Sequence, residues 1–178
     1  MGPQQESLLH YRTISITKIN EETKRYVNEA LEIFIKNGAP DIFIIINSDG
    51  GNHYKSMEIF YMLSTYPGKI TGYVQSYAFS GAVTILQGCS VRKMCADAKL
   101  ILHEPTTMKY ATDFYKIKTI EDIEKIKKEL EACLKEICLI FSIRSCRYSP
   151  DFFTLLCRYF SIITADEALE LGLVDEII

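Results

Sequence analysis

Apolar and polar positions along the chain follow two periodicities in turn, and this pattern predicts alternating strands and helices. Residues 12–19 have the length and β-branched content of a strand. Residues 41–47 are continuously apolar after Asp41, as expected of a strand buried on both faces of a sheet. Between them Asn20 is a good helix N-cap, and the helix that follows it is expected to bury one face, with the residues Val27, Ala30, Leu31, Phe34 and Ile35.

The alternation continues through the middle of the chain. A helix is predicted after residues 48–51, because apolar and small side chains recur there at helical spacing. A strand at 69–75 leads to a short helix that runs from Ser80 to about Gln87, and short strands are predicted at 92–95 and 99–103. Strands alternating with helices favour an α/β fold, in which right-handed crossovers join parallel strands and helices cover the sheet. The helix after residue 51 is expected to carry on one face the residues that recur at this spacing: Met57, Phe60, Tyr61 and Ser64.

One long helix dominates the second half of the chain. Residues 104–119 have no clear period, and an amphipathic stripe then runs from Ile120 to Phe141. Another helix is predicted to begin near Pro150, and residues 164–178 indicate a capped helix, a stop at Gly172 and a last strand. Without internal repeats, we expect a single domain over residues 1–178.

Composition excludes several classes of function. The net charge is −3, and Lys and Arg form no dense block, so a nucleic acid is not expected as a partner. Apolar runs are too short for a membrane span, and no secretory signal is evident, so the expected location is the cytoplasm, or the interior of an organelle after removal of a transit peptide. The six cysteines form no C-x-x-C pair, which favours free, mostly buried thiols over a zinc site. We expect neither a metal nor another cofactor.

Two glycine-containing loops follow predicted strands, at the edge where open α/β sheets place their sites. The first is "NSDGG" at 47–51, and the second, "YAFSGA", spans 77–82. Neither has the further glycines or the Lys-Ser/Thr of a phosphate-binding loop. Their backbone N–H groups could instead stabilise an oxyanion while Ser80 attacks a carbonyl carbon. The serine needs a base, and the histidines available are His10, His53 and His103.

Four segments together resemble a known family. "IINSDGG", "SYAFSGA", "LILHEP" and "TADEALELGLVDEI" occur in the order, and nearly at the spacing, of motifs in the Clp protease proteolytic subunit, a serine peptidase with a crotonase-like fold. The resemblance runs from about residue 12 to 178. It implies a parallel sheet of repeated strand-helix units with a protruding helical handle at about 104–142. It also implies that Ser80 is the nucleophile, that His103 is the general base, and that the oxyanion donors are Gly51 and Gly81.

The chain departs from the family pattern at two of these positions. Counting forward from Gly51 places Ser80 on the nucleophile, but one residue is missing between it and Gly81, and an ungapped count back from Gly81 would select Phe79. The position of the family's triad aspartate falls on Phe160, which has no carboxylate. A serine, such as Ser161, or a backbone carbonyl would then have to orient the histidine.

The resemblance implies an endopeptidase that cleaves unfolded polypeptides or short peptides inside a homo-oligomer of stacked rings. The alternative is a non-catalytic ring subunit that partners an active paralogue, and a third hypothesis is an acyl-CoA enzyme of the crotonase type. A ring-shaped ATP-dependent unfoldase is a further possible partner, although the family's axial loop and first helix are largely absent before the first strand. The long helix, together with the apolar residues before it, is expected to contribute to ring contacts: Met108, Tyr110, Phe114, Tyr115 and Ile117.

Overall fold

The computed structural model describes residues 11–106 and 117–178, and within them the chain forms a seven-stranded sheet covered by helices. The strands are β1 (Thr13–Ile16), β2 (Ile42–Ser48), β3 (Ile70–Phe79), β4 (Val91–Met94), β5 (Lys99–Leu102), β6 (Ser161–Ile163) and β7 (Glu176–Ile177). The helices are α1 (Glu21–Lys36), α2 (His53–Ser64), α3 (Gly81–Gln87), α4 (Ile120–Ser145), α5 (Pro150–Arg158) and α6 (Ala165–Glu170).

The central strand β3 determines where the loops of the sheet meet. The main path of the sheet is β1-β2-β3-β4-β7, and each of these pairs is parallel. The first part of β3 pairs with β4, whereas its last three residues, from Tyr77 to Phe79, pair with β5. The carboxyl ends of β2, β3 and β5 therefore lie at one edge. The predicted α/β fold with a parallel sheet is confirmed.

The local signals in the first half explain why its helices begin where they do. The Asn20 side chain accepts a hydrogen bond from the Thr23 N–H, and Glu21 and Glu22 lie in the positively polarised first turn of α1. Of the side chains expected on the buried face of this helix, Val27, Ala30, Leu31 and Phe34 are buried. The prediction was wrong for Ile35, which is 49% exposed because it lies beside the buried stripe rather than within it.

Two burial patterns differ from the sequence-based expectation. In β2, Ile42, Ile44 and Ile46 are buried, but Phe43 is 49% exposed, so the strand is not buried on both faces. In α2 the buried apolar residues are Met57, Ile59 and Leu63, whereas Tyr61 is 53% exposed. The expected stripe was thus rotated around the helix axis, because alternative apolar positions of α2 fit the helical period equally well.

The C-terminal half adds one strand that the sequence pattern did not predict. Helix α4 begins with a capping box between Thr119 and Asp122, and its second half is the part that packs into the core. After α5, Phe160 adopts a positive φ of 52°, and β6 then pairs antiparallel with β5. Of the apolar residues expected before α4, four lie outside the described residues: Met108, Tyr110, Phe114 and Tyr115.

A buried arginine joins the C-terminal segment to the sheet. Arg92 is 4% exposed, forms an ion pair with Asp175 and donates hydrogen bonds to the Gln87 side chain and to the carbonyl oxygen of Gly172. Partial burial alone would raise the pKa of Asp175, but hydrogen bonds from Arg92 and its charge lower it. Separately, none of the described helices combines the length and apolar character needed to cross a bilayer.

Candidate active site

Ser80 occupies the turn between the end of β3 at Phe79 and the start of α3 at Gly81. Its φ of 54° and ψ of −124° lie in a region that residues with a Cβ rarely adopt. Its N–H donates to the carbonyl oxygen of Ile101, and its own carbonyl accepts from Val83. The side chain makes no capping bond to α3. Such a strained strand-to-helix turn is the means by which many hydrolases expose a nucleophilic hydroxyl.

The glycine loop after β2 packs directly against this turn. A Cβ at Gly50, where φ is +89°, would lie 2.5 Å from the carbonyl oxygen of Phe79 and 3.0 Å from the Cβ of Ser80. On its other side, the loop pairs with Ile19, whose N–H donates to Gly50 and whose carbonyl accepts from Asn52. The loop therefore has no room for a side chain at these positions.

Two backbone N–H groups remain available beside Ser80. The bridge to Ile19 uses the amides of Ile19 and Asn52 and leaves that of Gly51 unpaired within the described residues. Gly81 is the first residue of α3, so its N–H has no acceptor within the helix. A Cβ at Gly81 would lie 2.8 Å from the Ser56 hydroxyl oxygen, so this backbone is also closely packed. Both donors are of the kind that an oxyanion hole requires.

His103 follows β5 directly, and its ring orientation is set by a neighbouring carbonyl group. Its Nδ1 lies 2.6 Å from the carbonyl oxygen of Glu104. A carbonyl oxygen can only accept, so Nδ1 carries a proton, and in the neutral ring Nε2 is then the proton acceptor. This is the tautomer that a general base for a serine needs.

Phe160 lies beside the His103 ring, at the position where counting along the sequence expected an aspartate. The two rings stack with centroids 5.8 Å apart and an interplanar angle of 26°. The hydroxyl of Ser161 donates to the carbonyl oxygen of Leu156, 2.8 Å away. Of the two substitute acceptors considered for His103, a backbone carbonyl, that of Glu104, is the hydrogen-bond partner observed among the described residues.

A single cavity of about 750 Å³ collects the residues selected from the sequence. Ser80, His103, Gly51 and Gly81 all line it, although no hydrogen bond joins Ser80 to His103 in the described chain. Catalytic hydrogen bonds are often long without substrate and tighten when it binds.

The cavity includes residues that the sequence did not identify as part of a site. One wall is the face of α4 that carries Ile126, Leu130 and Ile137, whose regular spacing was the available signal. His53, one of the three histidines considered as a base, also lines the cavity, with its Nε2 3.8 Å from a Glu136 carboxylate oxygen. Burial lowers the pKa of His53, and the charge of Glu136 only partly opposes this. Throughout residues 11–106 and 117–178, no cluster of His, Cys, Asp and Glu is suited to a metal ion.

Comparison with known proteins agrees with the resemblance read from the motifs. The family model described as Clp protease matches residues 3–178. Two proteins named "ATP-dependent Clp protease proteolytic subunit", from Oryza sativa subsp. indica and Triticum aestivum, are each 29% identical over 161 residues, which is 87% of this chain and 69% of theirs. The solved structure of a ClpP1 point mutant from Listeria monocytogenes superposes with a TM-score of 0.85 at 21% identity, covering 98% of this chain and 95% of the other. At that identity the likeness shows the fold.

Proposed function

The chain belongs to the Clp protease family, and on that premise we propose that it is a serine endopeptidase with Ser80 as nucleophile and His103 as general base. The observation that carries the proposal is the strained turn at Ser80. The side chain of this serine makes no capping hydrogen bond to α3, and the residue lines a cavity that is also lined by His103. Packing holds this turn between Gly50 and β5, so its geometry is a stable feature of the fold.

The proposed reaction proceeds through an acyl-enzyme. His103 Nε2 accepts the proton of the Ser80 hydroxyl as its oxygen forms a bond to the peptide carbonyl carbon. The oxygen of that carbonyl becomes negative and accepts hydrogen bonds from the N–H groups of Gly51 and Gly81. The imidazolium then gives its proton to the departing amine as the C–N bond breaks. A water molecule then attacks the carbonyl carbon of the ester as His103 accepts its proton. The ester bond breaks, the proton returns to the Ser80 oxygen, and the carboxylic acid product is released.

The missing carboxylate makes this mechanism slow. The Glu104 carbonyl selects the tautomer of His103, but it carries no net charge to stabilise the imidazolium. The Phe160 ring stacks on the same histidine and, being apolar, adds no charge that would stabilise the imidazolium. In serine peptidases, loss of the orienting aspartate lowers turnover by about 10⁴. Membership of the family supports unfolded polypeptides or short peptides as the substrates.

We propose a ring-forming homo-oligomer as the working assembly. Apolar side chains of α4 support it, since Ile120, Ile123, Leu139 and Ile143 are all more than half exposed in the isolated chain. We expect light scattering to give a mass well above the 20.4 kDa of one chain. A monomer mass at every concentration and salt tested would contradict this. An unfoldase would be a partner of the same assembly.

The second candidate function is that of a non-catalytic ring subunit beside an active paralogue. Phe160 in place of a carboxylate is the observation that favours it. Family membership favours both candidates over the acyl-CoA hypothesis.

Labelling with a fluorophosphonate separates the two candidates, because the reagent reacts covalently with activated serines. We expect the assembled protein to be labelled and Ser80→Ala to lose the label. Ser76→Ala is the matched control, since Ser76 is an exposed serine of β3, the strand that leads into the Ser80 turn, and its replacement should leave labelling intact. An unlabelled wild-type protein would favour the non-catalytic subunit, and a labelled Ser80→Ala variant would mean that another residue is the nucleophile.

A further inference from the structure

The wall of the candidate active-site cavity formed by α4 carries an ionisable group among its apolar side chains. Ile126, Glu129, Leu130, Cys133 and Ile137 line the cavity, and their spacing places them on one face of the helix. Glu129 therefore lies within the apolar stripe rather than on the outer face of α4. Across the cavity, Asp49 contributes a second exposed carboxylate beside the glycine loop.

Among the described residues that line this cavity there is no lysine or arginine to offset these charges. The histidine His53 is kept largely neutral near pH 7, because burial lowers its pKa below the ordinary value. Its neighbour Glu136 adds a further carboxylate 3.8 Å behind it. A side chain bound in the cavity would therefore meet negative rather than positive charge among the described lining residues.

Three described cations on or beside the elements that border the cavity do not line it. Lys55, on the first turn of α2, lies 2.7 Å from carboxylate oxygens of Glu21 and Glu58. Lys127 and Arg158 line a neighbouring surface groove, which shares Pro105, Ile126 and Leu130 with the cavity. Arg158 is paired there with Glu104 at 3.2 Å. None of these side chains lines the cavity beside Glu129.

The thiol of Cys133 shows the effect of these carboxylates on the wall. Burial raises its pKa, and the charges of Glu136 and Glu129 raise it further. Placing a negative charge at this wall is therefore unfavourable, and a positive charge is favoured by the same carboxylates.

We propose that the cavity selects peptides with lysine or arginine next to the scissile bond, with Glu129 as the main specificity determinant and Asp49 as the second. The inference rests on the proposed peptidase function. The aliphatic stem of such a side chain would pack on Ile126 and Leu130, while its charged end would reach the Glu129 carboxylate. A glutamate in the same place would meet repulsion from both carboxylates.

The test uses the full-length assembled protein and internally quenched peptides that differ only in having lysine, norleucine or glutamate next to the bond. Because the carboxylates are exposed, each attraction or repulsion is expected to change kcat/KM by about threefold, and lysine should exceed glutamate by about tenfold. The ratio should shrink as salt screens the charges.

Charge reversal identifies the residue responsible. Glu129→Lys should abolish the preference for lysine, because the new positive charge offsets the contribution of Asp49, and Glu129→Gln should reduce the ratio to about threefold. Glu124→Lys is the matched control, because it makes the same change on α4 at an exposed position that lines neither cavity. That variant should keep the wild-type order.

Failure of the inference and failure of the proposed function give different results. If all peptides are cleaved at equal rates, the charge selectivity is wrong and the peptidase function stands. If none is cleaved, the proposed function is wrong, and fluorescence anisotropy with the uncleaved peptides decides the inference. Tighter binding of the lysine peptide, lost in Glu129→Lys, supports the selectivity, and equal binding overturns it.

Discussion

The nucleophile turn and the base loop line the same cavity, but they depend on different parts of the protein. The nucleophile turn, residues 79–81 with the glycine loop against it, is fixed by backbone packing that leaves no space for added atoms. The base loop, residues 103–105 with Phe160 beside it, is partly exposed, and Phe160 itself is 58% exposed. The comparison shows which half of such a site the core protects.

The difference follows from what each half touches. A side chain added at Gly81 would meet Ser56, which is fully buried under α3, so any change there disturbs the core. A change at position 160 affects mainly the His103 ring and solvent. The base loop can therefore lose its carboxylate without loss of the fold, whereas the nucleophile turn cannot change without consequences for packing.

The substitution with the largest expected effect restores a carboxylate to the base loop. We expect Phe160→Asp to raise kcat for peptide hydrolysis by up to about 10⁴, because the aspartate could stabilise the imidazolium of His103. Aspartate also tolerates the positive φ of 52° at this position better than phenylalanine does. Steady-state kinetics with one peptide substrate measure the gain.

Tyr159→Asp is the control for added negative charge, since Tyr159 is the neighbouring residue and is 81% exposed. It should leave kcat within about twofold, as expected for a screened surface charge. An equal rise in both variants would show that charge near the site, and not orientation of His103, limits the rate.

A smaller effect is expected when the glycine loop is altered. Gly51→Ala would bring a Cβ against the Ile19 backbone and displace an oxyanion donor, so kcat should fall by about 10² to 10³. Gly38→Ala is the control, because Gly38 also has a positive φ but its Cβ would meet nothing within 4 Å. Kinetics and denaturant unfolding should show reduced stability in both variants and a reduced kcat in Gly51→Ala alone. A wild-type kcat in Gly51→Ala would remove Gly51 from the oxyanion hole.

The smallest effect concerns the side chain of Glu104. Its backbone carbonyl bonds to His103, and its carboxylate instead pairs with Arg158 at the surface. Glu104→Ala keeps the carbonyl and removes a pair worth at most about 1 kcal/mol, so kcat should stay within about threefold. Arg158→Ala should behave in the same way. A loss greater than tenfold in Glu104→Ala alone would indicate that the carboxylate assists the base.

The sequence predicted most of the element order because the signals were local. The Asn20 cap, the continuous apolar run of β2 and the Gly172 stop each depend on a few adjacent residues. Strand β6 was not predicted, since three residues are too few to establish a period and its pairing with β5 depends on the reversal at Phe160. The face of α2 was misjudged for a similar reason: its apolar residues fit more than one stripe.

The candidate site was predictable to the extent that it depends on side-chain identity. Ser80 and His103 stand in recognisable motifs, and the absence of an aspartate at Phe160 could be read by counting. The hydrogen bond from His103 to Glu104 could not, because a backbone carbonyl is present at every position and only its direction matters. The contribution of Glu129 was hidden as well, since periodicity alone did not show which cavity the α4 stripe would face.

The positive φ of Ser80 also has a consequence for the stability of the fold. A side chain in this conformation lowers stability by about 1 to 3 kcal/mol. Glycine would relieve that strain, and the greater flexibility that it gives to the unfolded chain would cancel only part of the gain in stability. Folding stability alone would therefore be higher with glycine at position 80. Ser80→Gly should unfold at a higher denaturant concentration than Ser80→Ala, because alanine keeps a Cβ in the strained conformation.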